Sequence, residues 1–447
     1  MSAIANAVNR FPLPVGLALI AALASGLYLP FLASPPVFDD YYFFAGQLFA
    51  YYATHPFGLE LRVPAYFSLA VVQLIWWEHV EAHRVVTLAL HIACSLAVYR
   101  LIFDVQRYAA PRISPAPVTG FEAHLPALVG AAVFAVHPVA VYGAGYLIQR
   151  TTLLATLFSL ISIVLYLRGL ARRSHADAVS AALMYSMAVL SKETAVLLPA
   201  TAAVAGLIMA VDRRFLLRHA ALYLACCAPA ALLVTFLVKM KVGTAYEPDF
   251  EIVSAQAGAF GSPWLESAVT QAALFFRYLS LWLLPDTGAM SIDLRIEFAG
   301  AWPSAVAALG VIGYAGYGLL GAWLAARGGT ARVAGFGLLF PWILFFTEFV
   351  TIRFQEPFVL YRSYLWAPGL MVLLGLALAR LPVRAVAVFA LVTLPLLFYH
   401  AHDRLQTFAS GVALWEDAVG KLPESAVPGG SRTLYYLSRE YLSVGRA

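Results

Sequence analysis

Long apolar stretches alternate with short polar segments rich in arginine along almost the whole chain, and this pattern predicts a bundle of membrane-spanning helices. Runs near the ~20 residues that cross a bilayer as a helix fall at 11–33, 85–102, 125–144, 151–167, 194–211, 220–238, 301–326, 333–351, 365–381 and 385–399. The run at 178–190 is shorter, but a span that lines a cavity need not match the full lipid thickness. The first run follows Arg10 and exceeds the roughly 7–15-residue core of a cleavable signal, so it reads as a retained first span.

Arginine sets the orientation. Arg107 and Arg112, Arg168 with Arg172 and Arg173, Arg213 with Arg214 and Arg218, Arg327 with Arg332, and Arg380 with Arg384 all fall on one side, which the positive-inside rule makes cytoplasmic. The other side receives the loop 34–84, the turn 145–150, the junction 191–193, the loop 239–266 and the segment 353–364. This pattern closes if 63–77 and 268–284 do not cross. The second of these carries Gln271 and Arg277, and Trp76, Trp77, Trp264 and Trp282 flank the two, so both read as interfacial or re-entrant. The expected fold is an all-α polytopic membrane protein of about eleven crossings, with a transmembrane domain over 1–400, its amino terminus in the cytoplasm, and a tail outside over 401–447. In that tail, Leu414-Trp415-Glu416-Asp417-Ala418-Val419 followed by Pro423 reads as the second helix of a hairpin. Residues 432–446, with Leu434, Leu437 and Tyr441 at helical spacing before Gly445, read as one partial tetratricopeptide-like helix. Such repeats need about three units to stand alone, so this one is expected to pack on the membrane domain or on a partner.

Composition agrees. Of 447 residues, 62% are hydrophobic and 12% charged, against roughly 45–50% and about 25% in a soluble domain. The net charge of +5 comes from basic residues between the apolar runs, so it carries no nucleic-acid signal. Cys94, Cys226 and Cys227 lie inside apolar runs and read as packing residues.

The candidate chemistry sits on the predicted outer side. Phe38-Asp39-Asp40 follows the first span; neighbouring carboxylates under an apolar rim raise each other's pKa, which suits a general base or a metal site. The competing reading is that Asp39 caps an interfacial helix. His137, before Pro138, is either a working residue or a satisfied bundle histidine. Arg150 lies outside, against the positive-inside trend, and calls for an anion. Lys192-Glu193 is either an internal salt bridge or a phosphate-facing lysine with an orienting carboxylate. Arg362, in Tyr361-Arg362-Ser363-Tyr364-Leu365, either grips a phosphate with Arg150 through the bidentate guanidinium fork or snorkels to headgroups. Arg62, before Pro64, is a third cation of this kind. No Walker loop, dinucleotide fingerprint, His-Glu-x-x-His or Gly-x-Ser-x-Gly elbow is present, which argues against nucleotide-driven transport and serine hydrolysis.

In their order along the chain, Phe38-Asp39-Asp40, Arg62-Val63-Pro64, His137-Pro138-Val139, Arg150-Thr151-Thr152-Leu153-Leu154-Ala155, Ser191-Lys192-Glu193, Tyr361-Arg362-Ser363-Tyr364-Leu365 and the repeat-like tail resemble the GT-C superfamily of integral-membrane glycosyltransferases. Several of these strings resemble the transmembrane and tetratricopeptide-containing O-mannosyltransferases in particular. The resemblance implies a polyprenyl-phosphate sugar as donor substrate and no tightly bound cofactor, with a divalent ion as an optional aid to the leaving phosphate. It implies Asp39 as base with Asp40 as its partner, donor-phosphate contacts from Arg150, Lys192 and Arg362, and support from Arg62, His137, Glu193 and Tyr364. Compact size and short loops resemble bacterial relatives, among them pilin-type O-glycosyltransferases, which implies a bacterial inner membrane, a periplasmic site and an acceptor such as a protein hydroxyl. Two other classes stay open: a flippase for a lipid-linked sugar, and a transferase acting on lipid or glycan.

Overall fold

The computed structural model describes residues 13–44, 48–56, 58–76, 79–109, 120–209, 211–241, 262–301, 303–354, 356–425 and 427–445. Arg10, Trp77, Arg112, Arg446 and most of the loop 239–266 lie outside them. In chain order the helices are α1 (Leu13–Tyr28), α2 (Asp40–Phe44), α3 (Leu48–Thr54), α4 (Val63–Trp76), α5 (Val80–Ala109), α6 (Leu125–Ala135), α7 (Pro138–Ala144), α8 (Arg150–Arg172) and α9 (His175–Ser191). They continue as α10 (Leu198–Gly206), α11 (Arg213–Lys241), α12 (Pro263–Leu283), α13 (Ser304–Ala326), α14 (Gly329–Phe345), α15 (Ala367–Leu378), α16 (Val383–Thr407), α17 (Gly411–Val419) and α18 (Gly430–Ser443). Among the described residues there is no β-strand; an isolated antiparallel bridge joins Leu294 and Phe358.

The protein is an all-α polytopic membrane protein. Seven stretches, built on α1, α5, α8, α11, α13, α14 and α16, are long and apolar enough to cross a bilayer, and α6 with α7 makes an eighth as a pair bent by 63°. Those eight and the shorter α9, α10 and α15 together account for the eleven apolar runs seen in the sequence. Local chemistry explains the interruptions. Proline cannot donate to the helix ladder and forces the residue before it into extended backbone. Accordingly, His137 sits at φ −74°, ψ 131°, and its ring Nδ1 accepts the Val139 N–H at 3.3 Å, capping α7. After α9, Lys192 is extended, Glu193–Leu197 forms a tight 3₁₀ turn, and α10 restarts with Pro199 in its first turn.

Lipid takes the outer surfaces. Leu224, Leu232 and Phe236 on α11, Leu309, Ile312 and Leu319 on α13, and Leu391, Val392 and Leu396 on α16 are all exposed. Since lipid tails are as apolar as leucine, helices associate there by close packing rather than by exclusion from water. The α13–α14 contact shows it: a Cβ at Gly335 would collide with the backbone of Ala325.

Two features fix the end of the bundle that matters for chemistry. The α12 helix anchors the segment before α15: Gln271 Nε2 donates to the Pro357 carbonyl (2.7 Å), Tyr278 hydroxyl bonds both main-chain groups of Val359 (3.0 Å each), and the Arg277 guanidinium lies 4.8 Å over the Phe358 ring. The tail is fastened to the same end. Asp417 on α17 holds Arg404 (2.8 Å) and Lys421 (2.6 Å), Lys421 also donates to the Met290 carbonyl (2.6 Å), and the buried Trp415 stacks on Tyr436 of α18 (4.6 Å). The inward face of α18 carries Arg432, Thr433, Tyr436 and Leu437, whereas Leu434 points to the outside.

Candidate active site

Five connections meet at this end, with the start of α18: the link after α1, the link between α3 and α4, the turn before α8, the junction after α9, and the segment between α14 and α15. Between them lies a cavity of about 580 Å³. Its charged lining is Asp39, Arg62, Lys192, Glu193, Arg353, Glu356, Arg362 and Arg432; Phe38, Phe43, Tyr66, Tyr361 and Tyr436 supply aromatic walls. Five cations and three carboxylates line it, with Glu348 paired behind Arg353 and Arg362 and Asp293 behind Arg432.

The two aspartates after α1 separate. Asp39 opens into the cavity, and its N–H donates to the Tyr146 hydroxyl at 3.0 Å. Burial, reinforced by the negative charge of Glu356, pushes its carboxyl up to about 6 against the pull of Tyr146, Arg432 and Arg62. Asp40 turns the other way: Oδ1 accepts the Ile148 N–H (2.8 Å), Oδ2 accepts the Val37 N–H (3.2 Å), and the side chain is buried. Burial pushes it up to about 7, opposed chiefly by Arg84. Arg84, also buried, donates to the carbonyls of Ser34 (2.8 Å), Pro35 (2.7 Å) and Gly145 (2.9 Å), tying the link after α1 to the end of α7. Asp40 therefore belongs to the framework under the cavity and Asp39 to the cavity itself.

Backbone strain collects at the rim. Phe38 (φ 49°) and Arg62 (φ 65°) occupy the left-handed region, at about 1–2 kcal/mol each for side chains with a Cβ. Contacts hold both: Phe38 packs edge-on against Trp415 and Tyr436 (5.3 Å each), and Arg62 forms a two-pronged pair with Glu193 (Nε–Oε2 3.0 Å, Nη2–Oε1 2.5 Å). Burial would raise Glu193, but the Arg62 fork outweighs it and holds the carboxyl down at about 2.

Lys192 donates to Gln149 Oε1 (2.8 Å) and Thr152 Oγ1 (2.7 Å) and lies 4.7 Å over the Tyr361 ring. Burial, helped by the neighbouring Arg62, lowers its ammonium to about 7. On the opposite wall, Arg362 pairs with Glu348 (3.1 Å) and lies 3.7 Å from Glu356, and Tyr361 donates to Glu356 (3.0 Å). Burial would raise Glu356, yet Arg432 and Arg362 keep it below its usual range.

Of the residues singled out in the sequence, Asp39, Arg62, Lys192, Glu193 and Arg362 line one cavity. Asp40, Arg150, His137 and Tyr364 do not. Arg150 is buried within the framework, donating to the carbonyls of His83 (2.7 Å) and Ser68 (3.2 Å) and to Thr87 Oγ1 (3.1 Å). Backbone dipoles, not a ligand phosphate, satisfy it. The His137 ring stacks on Trp282 (4.2 Å) with Nε2 on the Trp282 carbonyl (3.1 Å), and the Tyr364 hydroxyl bonds His91 Nδ1 (2.7 Å). Arg353, Glu356 and Arg432 line the cavity without having been singled out. The first two share the outer segment of Arg362, a signal available in the sequence; Arg432 reaches the site only through the fold of the tail. Among the described residues, no three His, Cys, Asp or Glu side chains converge as a metal-ligand set.

No protein-family model matches the chain, and comparison with curated proteins finds no match. Among solved structures the chain is similar to the oligosaccharyltransferase of Archaeoglobus fulgidus tethered to an acceptor peptide containing the NVT sequon, at 14% identity and a TM-score of 0.46, over 95% of this chain and 58% of that one. It is similar in the same degree to AglB from Archaeoglobus fulgidus in complex with an inhibitory peptide and a dolichol-phosphate, at 14% identity and a TM-score of 0.46, over 95% and 59%. The chain therefore spans less than two thirds of the length of the structures it matches.

Proposed function

We propose that this protein is a GT-C-type glycosyltransferase that moves a sugar from a polyprenyl-phosphate carrier to a hydroxyl of an extracytoplasmic acceptor, such as a protein serine or threonine in a bacterial periplasm. The observation that carries the reading is the meeting of one raised-pKa carboxylate, Asp39, with Arg62, Lys192, Arg353, Arg362 and Arg432 in a single cavity at one end of a membrane bundle. Such a transfer needs a base for the acceptor hydroxyl and cations where charge develops on the leaving phosphate.

In this mechanism the ionised Asp39 carboxylate takes the proton of the acceptor hydroxyl as its oxygen attacks the anomeric carbon. The new carbon–oxygen bond forms while the bond from that carbon to the phosphate oxygen breaks, with inversion. The phosphate leaves as a dianion, facing the cationic side chains of the lining. Glu193 keeps Arg62 extended into the cavity, and Gln149 and Thr152 aim the Lys192 ammonium. The arginine-rich connections Arg168–Arg173, Arg213–Arg218 and Arg380–Arg384 lie at ends of helices away from these loops, which supports an extracytoplasmic cavity.

Mass spectrometry of extracytoplasmic proteins, lipids and glycans from cells with and without the protein tests this. A glycan lost from a defined acceptor supports transfer and names sugar and acceptor together. Unchanged acceptors with a lipid-linked sugar trapped on one leaflet would replace the transferase with a flippase.

A further inference from the structure

Arg432 belongs to the tail, yet it lines the cavity beside Asp39 and Arg362. Its Nε pairs with Asp293 Oδ2 at 3.1 Å. Its Nη2 lies 3.7 Å from Glu356 Oε1, beyond hydrogen-bond range, so the outer edge of the guanidinium is held in place by charge and not by a closed hydrogen bond. The guanidinium also rests 5.3 Å from the centre of the Phe38 ring, the residue directly before Asp39. Four residues on, Tyr436 grips the same ring. One helical face of α18 thus carries both a cation directed into the cavity and an aromatic contact on the strained residue that presents Asp39.

The anchor of this cation is independent of the ligand. Asp293 is buried and is shared by Arg295 (2.8 Å), Arg432 and the Thr433 hydroxyl (3.5 Å). Glu356 in turn lies between Arg432 and Arg362, each at 3.7 Å. Arg295, Asp293, Arg432, Glu356 and Arg362 therefore alternate in charge, and Arg432 and Arg362 both line the cavity, one on either side of Glu356. Arginine presents donors in a rigid fork that suits phosphate oxygens.

We propose that Arg432 of the tail helix is a donor-phosphate-binding residue, acting with Arg362 from the opposite side of Glu356, so that the tail is a wall of the active-site cavity. This rests on the transferase reading above, and the experiment separates the two.

Full-length protein in nanodiscs is titrated with farnesyl phosphate and, as the uncharged control, farnesol. The wild type binds farnesyl phosphate at least tenfold more tightly than farnesol. Arg432→Gln weakens farnesyl phosphate by about 10- to 100-fold, the worth of one hydrogen bond to a charged group, and leaves farnesol unchanged; Arg432→Lys falls between. Arg295 still neutralises Asp293 in Arg432→Gln, and if that variant fails to fold, Arg432→Lys, whose ammonium keeps a cation on Asp293 but lacks the guanidinium fork, carries the same comparison of the two probes. Equal losses for both probes would make Arg432 a structural residue only, and an unchanged farnesyl phosphate affinity in a folded Arg432→Gln protein would overturn the inference while leaving the proposed function standing. A wild type that does not distinguish the probes would overturn both.

Discussion

Replacing Glu356 with glutamine isolates the electrostatics of the proposed base. In the wild type, transfer requires Asp39 ionised and Lys192 protonated, so the rate rises with pH through about 6 and falls through about 7. Treated as independent titrations, those two values leave roughly 0.6 of the molecules competent at pH 6.5 and roughly 0.09 at pH 5 or pH 8. After burial, Glu356 is the next cause raising Asp39. Removing its charge makes the ionised form of Asp39 less costly, so the acid limb moves to lower pH. A like charge beside a carboxylate that opens into a cavity is worth about one pKa unit, which would raise the competent fraction at pH 5 about fivefold and the rate relative to each profile's maximum about fourfold. The charges that set Lys192 beyond its burial are Arg62, Glu193, Arg362 and Glu348, so the alkaline limb should stay in place. The assay is transfer by purified protein in vesicles made with a lipid extract containing the cell's own lipid-linked sugars, with product measured by mass spectrometry from pH 4.5 to 8.5 and each profile scaled to its maximum. An acid limb that does not move, or that moves together with the alkaline limb, would refute the assignment of that limb to Asp39.

Other substitutions separate framework from cavity. Arg150→Ala leaves two buried carbonyls and Thr87 without their charged donor and should cost ~3 kcal/mol or more of stability, seen as a lower unfolding temperature in detergent; Lys192→Ala should keep the wild-type midpoint and lose donor binding. Asp40→Asn cannot accept both N–H groups as the carboxylate does and should cost about 1–3 kcal/mol while keeping transfer per folded molecule within a few fold, so a folded Asp40→Asn protein without activity would return Asp40 to the chemistry. A double-mutant cycle on Arg62→Ala and Glu193→Ala should give a coupling of ~1–2 kcal/mol, between the exposed and buried limits for ion pairs, because the two side chains are 22% and 16% exposed. A coupling near zero would mean that Glu193 does not hold Arg62.

Much of this architecture is legible in the apolar runs, because a span must satisfy every backbone group within its own helix and so writes its length into the sequence. The break at His137–Pro138 follows from proline's missing N–H, although hydropathy alone draws one continuous span there. The site is legible where charges sit in connections: Asp39, Arg62, Lys192, Glu193 and Arg362 are all polar interruptions next to apolar runs, and all reach the cavity. Arg150 misleads for a physical reason. As the first residue of α8 its long side chain runs inward to carbonyls of α4 and α5, and the identity of a partner that is a main-chain oxygen cannot be read from side-chain types. Arg432 is hidden for another: its position depends on the tail folding back across the bundle, a contact 139 residues from Asp293 along the chain. Leu434, at helical spacing with Leu437 and Tyr441, marks a helix correctly without marking which face is buried.

Asp39→Asn isolates the proposed base of the sugar transfer, because asparagine keeps the shape and the main-chain bond to Tyr146 but cannot take a proton. The measurement is transfer rate and farnesyl phosphate affinity on the same folded preparation. The expected rate is lower by about 10²- to 10⁴-fold, the range for a general base, with affinity for the phosphate unchanged or tighter; an Asp39→Asn protein that binds the phosphate and transfers at the wild-type rate would remove Asp39 from the chemistry.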